Sequence, residues 1–311
     1  MIKATIIGGS GYVGGELIRL LLFHRGVTLV GVTSQSHAGK KVSDIHKNLL
    51  SITEIKFQKE DVKNLAKQSD ILFFALPHGM SMEKIKDVDL TKTKVIDLGA
   101  DFRIKNDKLF EKVYGTKHTG SNFLTSAVYG LPEWHKDEIK KATLIACPGC
   151  FPTGALLAVL PLVKAGILVG SVIIDSKTGS SGSGVKPSQT THHPERAEDV
   201  SAYNIFSHRH YWEMEQEINS LEGKNVDVIF TAHSIPIIRG IFTTAYMALK
   251  KPMSKGGILK IYQTAYQGKP FVRLTDSVHC SVVAGTNYCD IAIHVQGNKV
   301  IVTSAIDNLV K

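Results

Sequence analysis

The sequence predicts an α/β protein: a doubly wound parallel sheet, followed by an α+β domain with a mostly antiparallel sheet. Three observations predict it. A β-branched run at Lys3–Ile7 leads straight into a glycine turn and then an apolar helical pattern at Glu16–Phe23. Strand-like runs go on alternating with helical patterns as far as Ala146. From Ser171 onward, strands succeed one another with few helices between them. Alternation gives a parallel sheet with helices on both faces. Successive strands without crossover helices pair antiparallel.

The first strand-turn-helix is the most informative. In Gly8-Gly9-Ser10-Gly11-Tyr12-Val13-Gly14 the glycines at 9, 11 and 14 satisfy G-x-G-x-x-G between a strand and a helix. In that context glycine permits the tight turn and lets the backbone approach a pyrophosphate, which sits at the positive end of the helix. This is the fingerprint of a Rossmann-like unit. The second strand, Thr28–Thr33, runs into Ser34-Gln35-Ser36-His37-Ala38-Gly39-Lys40 with no carboxylate for a ribose 2′-hydroxyl. Hydroxyls and a lysine suit a 2′-phosphate, so NADP(H) is favoured over NAD.

Ile71–Leu76, Lys94–Leu98 and Leu144–Ala146 continue the series. Ligands of such sheets gather at the carboxyl ends of the strands. Pro77-His78-Gly79, the run Asp97 to Arg103, and the run Cys147 to Thr153 all fall at those ends. In the last of these, a Pro-Gly turn precedes Cys150, and Thr153–Ala165 reads as a helix with Pro152 in its first turn. A cysteine at a helix N-terminus has its thiolate favoured by the dipole, and the free N–H groups there can hold an oxyanion. Cys150 is thus placed as a nucleophile. Cys147-Pro148-Gly149-Cys150 also matches C-x-x-C, but it lies mid-chain, away from the early position a thioredoxin-like pair requires. Cys280 and Cys289 stand nine residues apart, a poor spacing for zinc ligands. No metal is expected.

In the second half, Ser171–Asp175, Asp227–Thr231, Ile241–Leu249, Tyr288–His294 and Val300–Ser304 read as strands. The loop Thr178–Gly184 is a linker or a lid over the cofactor. His208-Arg209-His210 precedes Glu213, Glu215 and Glu217 on a helical stretch, so a histidine oriented by a carboxylate could transfer protons there. A solvated polar turn before a surface helix is the plainer reading of the same residues.

Composition sets limits. The chain has 311 residues, enough for two domains, and four cysteines, too few for a disulfide-stapled secreted protein. Its formal charge of +9 comes from scattered basic residues, so an anionic ligand is expected rather than nucleic acid. The start carries no secretory signal pattern, and the longest apolar run, Ala155–Val163, is far short of the roughly 20 residues a membrane span needs. A cytoplasmic protein without a membrane segment is predicted.

With these residues in hand, the sequence resembles the N-acetyl-γ-glutamyl-phosphate reductase family of the aspartate-semialdehyde-dehydrogenase-like superfamily. The matching landmarks are GGSGYVGGEL at 8–17, LPHG at 76–79, DLGADFR at 97–103, YGLPE at 129–133 and CPGCFPTG at 147–154. GSSGSG at 179–184, SHRH at 207–210, IPIIRGI at 235–241 and GTNYCDIA at 285–292 follow in order. The resemblance implies NADPH-dependent reduction of an acyl phosphate, N-acetyl-glutamyl phosphate, to the semialdehyde in arginine biosynthesis, through a thioester on Cys150. It implies a homo-oligomer, dimer or tetramer, and a domain organisation of 1–149 for NADP, completed by about 296–311, with 150–295 for catalysis and oligomerisation. His208 and His210 carry the family's HRH motif, with His210 placed slightly ahead as acid/base because Arg239-Gly240 is followed by Ile241 and not by histidine.

Cofactor contacts are expected at Gly8, Gly9, Ser10, Gly11, Tyr12, Val13, Gly14, Ser34, Ser36, Pro77, Gly182 and Asn308, and substrate contacts at His78, Arg103, Glu213 and Arg239. The segment His192–Ala197 looks like related reductases whose substrates ride on an acidic carrier protein. The proline after the nucleophile looks like the free-substrate enzymes, which are favoured here. The family normally continues past Lys311 into a glycine-alanine turn and a last helix. Aspartate-semialdehyde dehydrogenase is the enzymatic alternative. A non-catalytic NADP-binding regulator would explain the glycine turn but not Cys150 or the HRH group.

Overall fold

The structure, a computed structural model, describes residues 1–221 and 226–311. It comprises two compact units, Met1–Pro148 and Gly149–Lys311.

The first unit is built on strands β1 (Ile2–Ile7), β2 (Val27–Val32), β3 (Ile71–Phe74), β4 (Lys94–Asp97), β5 (Val128–Tyr129) and β6 (Leu144–Ala146). They form one sheet in the order β2-β1-β3-β4-β6-β5, with every pairing parallel. Side chains alternate across a strand, so Ile6 and Ile7 enter different cores. Ile6 joins Ala4, Ile18, Leu21 and Val32; Ile7 joins Leu72, Phe74, Val95, Phe102 and Phe110. Both faces are therefore covered. The order reverses at β1, flanked by β2 on one side and β3 on the other, and a crevice for a ligand opens at such a switch point. The glycine turn leaves β1 there.

Three helices of eight residues or more belong to this unit among the described residues. Helix α1 (Tyr12–Leu22) buries Ile18 and Leu21. Helix α2 (Asp107–Tyr114) starts at Asn106, whose side chain accepts from the Leu109 N–H at 3.0 Å, and ends at the left-handed Gly115. Helix α3 (Pro132–Lys141) opens on a proline.

The second unit carries helix α4 (Cys150–Lys164) and strands β7 (Leu168–Thr178), β8 (Ser201–Tyr203), β9 (Val228–Ser234), β10 (Ile241–Leu249), β11 (Val272–Leu274), β12 (Cys289–Gln296) and β13 (Lys299–Ile306), with helices α5 (His210–Ser220) and α6 (Lys255–Tyr266). The sheet order is β11-β12-β13-β10-β7-β9-β8. Pairs β11–β12 and β7–β9 are parallel; the other four are antiparallel. The expectation that residues from about 296 complete the first unit is corrected here. β13 is an inner strand of the second sheet, locked between β12 and β10 over its whole length, and a two-residue turn with left-handed Gly297 ties it to β12.

Helix α4 is the hub of this unit. Thirteen of its fifteen residues are buried, which explains why its pattern is apolar all round. Pro161 lies inside it and has no N–H for the carbonyl of Leu157 four residues back. Tyr266 of α6 supplies the missing donor: its hydroxyl donates to the Leu157 oxygen at 2.5 Å, and Tyr262 donates to the Ala158 oxygen at 2.5 Å. The proline in the sequence and the two tyrosines a hundred residues on are one structural device. No helix among the described residues is long and apolar enough to cross a membrane.

Candidate active site

The chain leaves β6, turns through Cys147-Pro148-Gly149 and starts α4 at Cys150. Gly149 is the N-cap, extended, with no side-chain cap and no acidic residue in the helix's first turn, so the first N–H groups of α4 are not met by a capping side chain. The N–H of Gly149 donates to Glu213 Oε2 at 2.9 Å. Glu213 lies on α5 and is fully buried. Its other oxygen stands 3.8 Å from His210 Nε2. A methyl group on Gly149 would lie 2.5 Å from His210 Nε2 and 3.0 Å from Glu213 Oε1, so glycine is obligatory for the close approach of this ring. The residue before the cysteine, the imidazole and the carboxylate thus form one cluster.

The two histidines separate by environment. His208 is buried against Phe151, Tyr203 and Phe230, with ring centroids at 5.4, 5.5 and 5.4 Å. Burial, helped by the Arg209 charge, pushes its pKa down to about 4. Its Nδ1 accepts the backbone N–H of His210 at 3.2 Å, which puts the proton of the neutral ring on Nε2. His210 is the histidine that meets Glu213 and Gly149. Tyr203, which the sequence reading passed over, has its hydroxyl pushed up to about 12, first by burial and then by the Cys150 charge. Its signal was only a lone tyrosine before the HRH group. Cys147 is pushed up to about 12 by burial, with the Asp97 charge adding to it, which leaves it a poor nucleophile.

The expected anion contacts fall into different surroundings. Arg103 is buried; Nε donates to the Cys147 oxygen at 2.7 Å and Nη2 to the Leu98 oxygen at 3.0 Å. These two bonds tie the guanidinium to the backbone of two strand-end turns. Glu213, also expected as a substrate contact, is buried and accepts from the Gly149 N–H. Arg239 is half-buried and held by both oxygens of Asp307, at 2.9 and 3.1 Å. Asn308, expected as a cofactor contact, is buried; its side chain accepts from Gly240 N–H at 2.7 Å and donates to Ser181 at 2.9 Å. Gly182 is exposed in the short 180–183 turn. Pro77 and His78 are exposed at the end of β3, where Asp101 holds the turn by accepting from Gly79 N–H at 2.8 Å and Met82 N–H at 3.0 Å. Asp101 was not singled out from sequence, where it is one acid within a longer motif.

The glycine turn fits a dinucleotide phosphate. Helix α1 has Gly11 as N-cap with no side-chain cap and no acidic first turn. Nothing lies within 4 Å of a methyl placed on Gly11, whereas one on Gly9 would stand 2.3 Å from Val32 and one on Gly14 2.7 Å from Gly9 itself. Gly8, at φ +87°, takes the left-handed conformation the turn needs. Tyr12 and Val13 are exposed at the helix start. Ser34 is buried, donating to Ser10 Oγ at 3.0 Å and accepting from His37 N–H at 3.2 Å; Ser36 is exposed.

Two family descriptions match the chain in tandem: "Semialdehyde dehydrogenase, NAD binding domain" over residues 3–142 and "Semialdehyde dehydrogenase, dimerisation domain" over 150–308. Fold and site together define a protein of the semialdehyde dehydrogenase class. Solved structures agree on the fold: aspartate semialdehyde dehydrogenase II from Vibrio cholerae has a TM-score of 0.72 at 13% identity, covering 99% of this chain and 94% of that one. The Candida albicans aspartate semialdehyde dehydrogenase with NADP has a TM-score of 0.71 at 15% identity, covering 98% and 93%. N-acetyl-gamma-glutamyl-phosphate reductase of Methanosarcina barkeri is 45% identical over 100% of this chain and 91% of its own, and that of Pelotomaculum thermopropionicum 42% over 100% and 91%. The chain belongs to the N-acetyl-γ-glutamyl-phosphate reductase family.

Proposed function

We propose that this chain reduces N-acetyl-glutamyl 5-phosphate to the 5-semialdehyde with NADPH, releasing phosphate, by way of a thioester on Cys150. The carrying observation is the cluster at the start of α4: Cys150 follows a glycine whose N–H is held by the buried Glu213 and whose Cα is covered by His210. The names of the relatives support the substrate. The glycine turn with no carboxylate at the end of β2 supports NADP(H), and Gly9, Gly11, Gly14 and Ser10 would hold it.

His210 takes the thiol proton of Cys150, with its imidazolium stabilised by the Glu213 carboxylate. The Cys150 sulfur forms a bond to the acyl carbon, and the carbon–oxygen bond to phosphate breaks, phosphate leaving with the electron pair. The N–H groups at the start of α4 hold the oxyanion of the tetrahedral adduct. When bound, the dinucleotide supplies the hydride that takes the thioester to the aldehyde level. The carbon–sulfur bond then breaks and Cys150 leaves as thiolate. His208, kept neutral by burial, orients His210 and takes no proton. Arg239, fixed by Asp307, is the anchor proposed for the substrate anion.

We read the second unit as the assembly surface of a homo-oligomer. Ile173, Tyr246 and Ile301 are cross-strand neighbours and all exposed, an apolar row on the open face of the sheet. A free small-molecule substrate in the cytoplasm is the reading adopted.

The reverse reaction tests the activity. Phosphate- and NADP-dependent oxidation of N-acetyl-glutamate semialdehyde is expected, with aspartate semialdehyde far slower; the opposite preference overturns the substrate assignment. Cys150→Ser should lose turnover by on the order of 10⁴-fold or more while NADPH still binds.

A further inference from the structure

We propose that His46 is a positioning residue for the dinucleotide: it holds the Gly9 carbonyl away from the ligand and so leaves the N–H groups of the turn to the phosphates. This rests on the NADP(H) reading of the first unit. The imidazole Nε2–H of His46 donates to the Gly9 oxygen at 2.8 Å. On the other side, the Gly9 N–H donates to the Thr33 oxygen at 2.8 Å and the Gly8 N–H to Thr33 Oγ1 at 3.0 Å. Thr33, at the end of β2, and His46 thus fix both peptide groups of Gly9.

Glycine is where such fixing is needed. With no side chain, the peptides around Gly8 and Gly9 can rotate freely. A flip of the Gly9–Ser10 peptide would present a carbonyl where an N–H should be, and a partial negative charge would then face a phosphate. The N-terminus of α1 has no side-chain cap that would otherwise settle the turn. The bond from His46 removes that alternative before the ligand arrives.

Helix α1 itself supplies a second, independent observation. It carries two glycines in succession, although glycine is a poor helix former. Gly14 is explained by the backbone of Gly9, 2.7 Å from where its methyl would be. Gly15 has a different neighbour: its methyl would stand 2.5 Å from Nδ1 and 2.6 Å from Cε1 of His46. The helix gives up a side chain to seat this ring. Phe57 meets the ring from elsewhere, edge to face at 6.3 Å between centroids. His46 is therefore held by packing on two sides and delivers one donor to one carbonyl.

The test is NADPH binding to the full-length protein without substrate, followed by quenching or transfer of nucleotide fluorescence. His46→Phe keeps a ring in the seat but removes the donor, and should raise the Kd about five- to ten-fold, the worth of one hydrogen bond. His46→Gln restores an N–H at the same reach and should bind within about two-fold of wild type. Gly15→Ala, with His46 intact, should displace the ring and match His46→Phe; in a His46→Ala background it should add nothing further. The rate of iodoacetamide labelling of Cys150 without nucleotide should stay unchanged throughout. Wild-type affinity in His46→Phe overturns the proposal, and so does equal loss in His46→Phe and His46→Gln, which would assign the effect to the ring alone. If His46→Phe does not fold, Gly15→Ala decides in the same way. Failure of the wild-type protein to bind NADPH overturns the cofactor reading instead.

Discussion

The glycine turn of the first unit and the cysteine turn that opens the second are the same backbone device put to different uses. Each is a strand, a tight turn and a helix whose N-cap is a glycine with no side-chain cap and whose first turn holds no acid. At Gly11 the space around a methyl is empty; at Gly149 it is filled by His210 and Glu213. The first turn keeps its surroundings clear and offers the ligand backbone N–H groups. The second is crowded by titratable side chains drawn in from α5. The helices behind them differ too: α1 buries one stripe, whereas α4 is buried nearly all round. A helix end exposed to a phosphate needs only a scaffold behind it. The cysteine turn leads into a helix that is held still, α4 being buried on nearly every side.

Substitution at the two N-caps sharpens this contrast most. Gly149→Ala drives a methyl into His210 Nε2, and a displacement of that ring by about 1 Å should cost on the order of 10²-fold in kcat. Gly11→Ala meets no atom, so its melting temperature should match wild type within an effect of about 0.5 kcal/mol, and any loss should appear in the KM for NADPH. Steady-state kinetics of the two variants side by side would break the comparison if Gly149→Ala kept full activity.

A middle-sized effect is expected behind the cysteine turn. Tyr266→Phe leaves the Leu157 carbonyl buried with neither the N–H that Pro161 lacks nor a hydroxyl, and should cost about 1–3 kcal/mol of stability with kcat unchanged. Denaturant titration measures it.

The smallest effect concerns Asp97, whose backbone oxygen accepts the Cys147 N–H at 2.8 Å. Its carboxyl is fully buried, accepting from Ser81 at 2.6 Å and Gly99 N–H at 3.0 Å, and burial raises its pKa to about 7. A carboxyl with a raised folded-state pKa stabilises fully below its unfolded value near 3.8, and that stability is lost as pH rises towards 7. Asp97→Asn should therefore flatten the decline in melting temperature across that window. An unchanged profile would show that the carboxyl has no part in it.

Much of this was legible along the chain because local rules decide it. Strand, glycine turn and helix at 3–23 are fixed by steric permission and periodicity, and Cys150 is marked by a Pro-Gly turn running into an apolar helix. The short edge strands β5, β8 and β11 were not, because two or three residues carry no pattern and exist only by pairing with a neighbour. His46 looked like any polar residue in a loop until its ring was seen seated on Gly15.

The sequence by itself determined the parallel sheet, the dinucleotide turn, the cysteine turn and the family, since each is written in contiguous residues. Tertiary structure alone decided that β13 serves the second sheet, that Arg103 and Asn308 hold backbone, that Glu213 grips Gly149, and that His210 and not His208 meets that carboxylate. Those are matters of burial and of partners far apart in the chain. The same guanidinium or carboxylate binds a ligand in the open and becomes a strut once water is removed and a backbone group faces it.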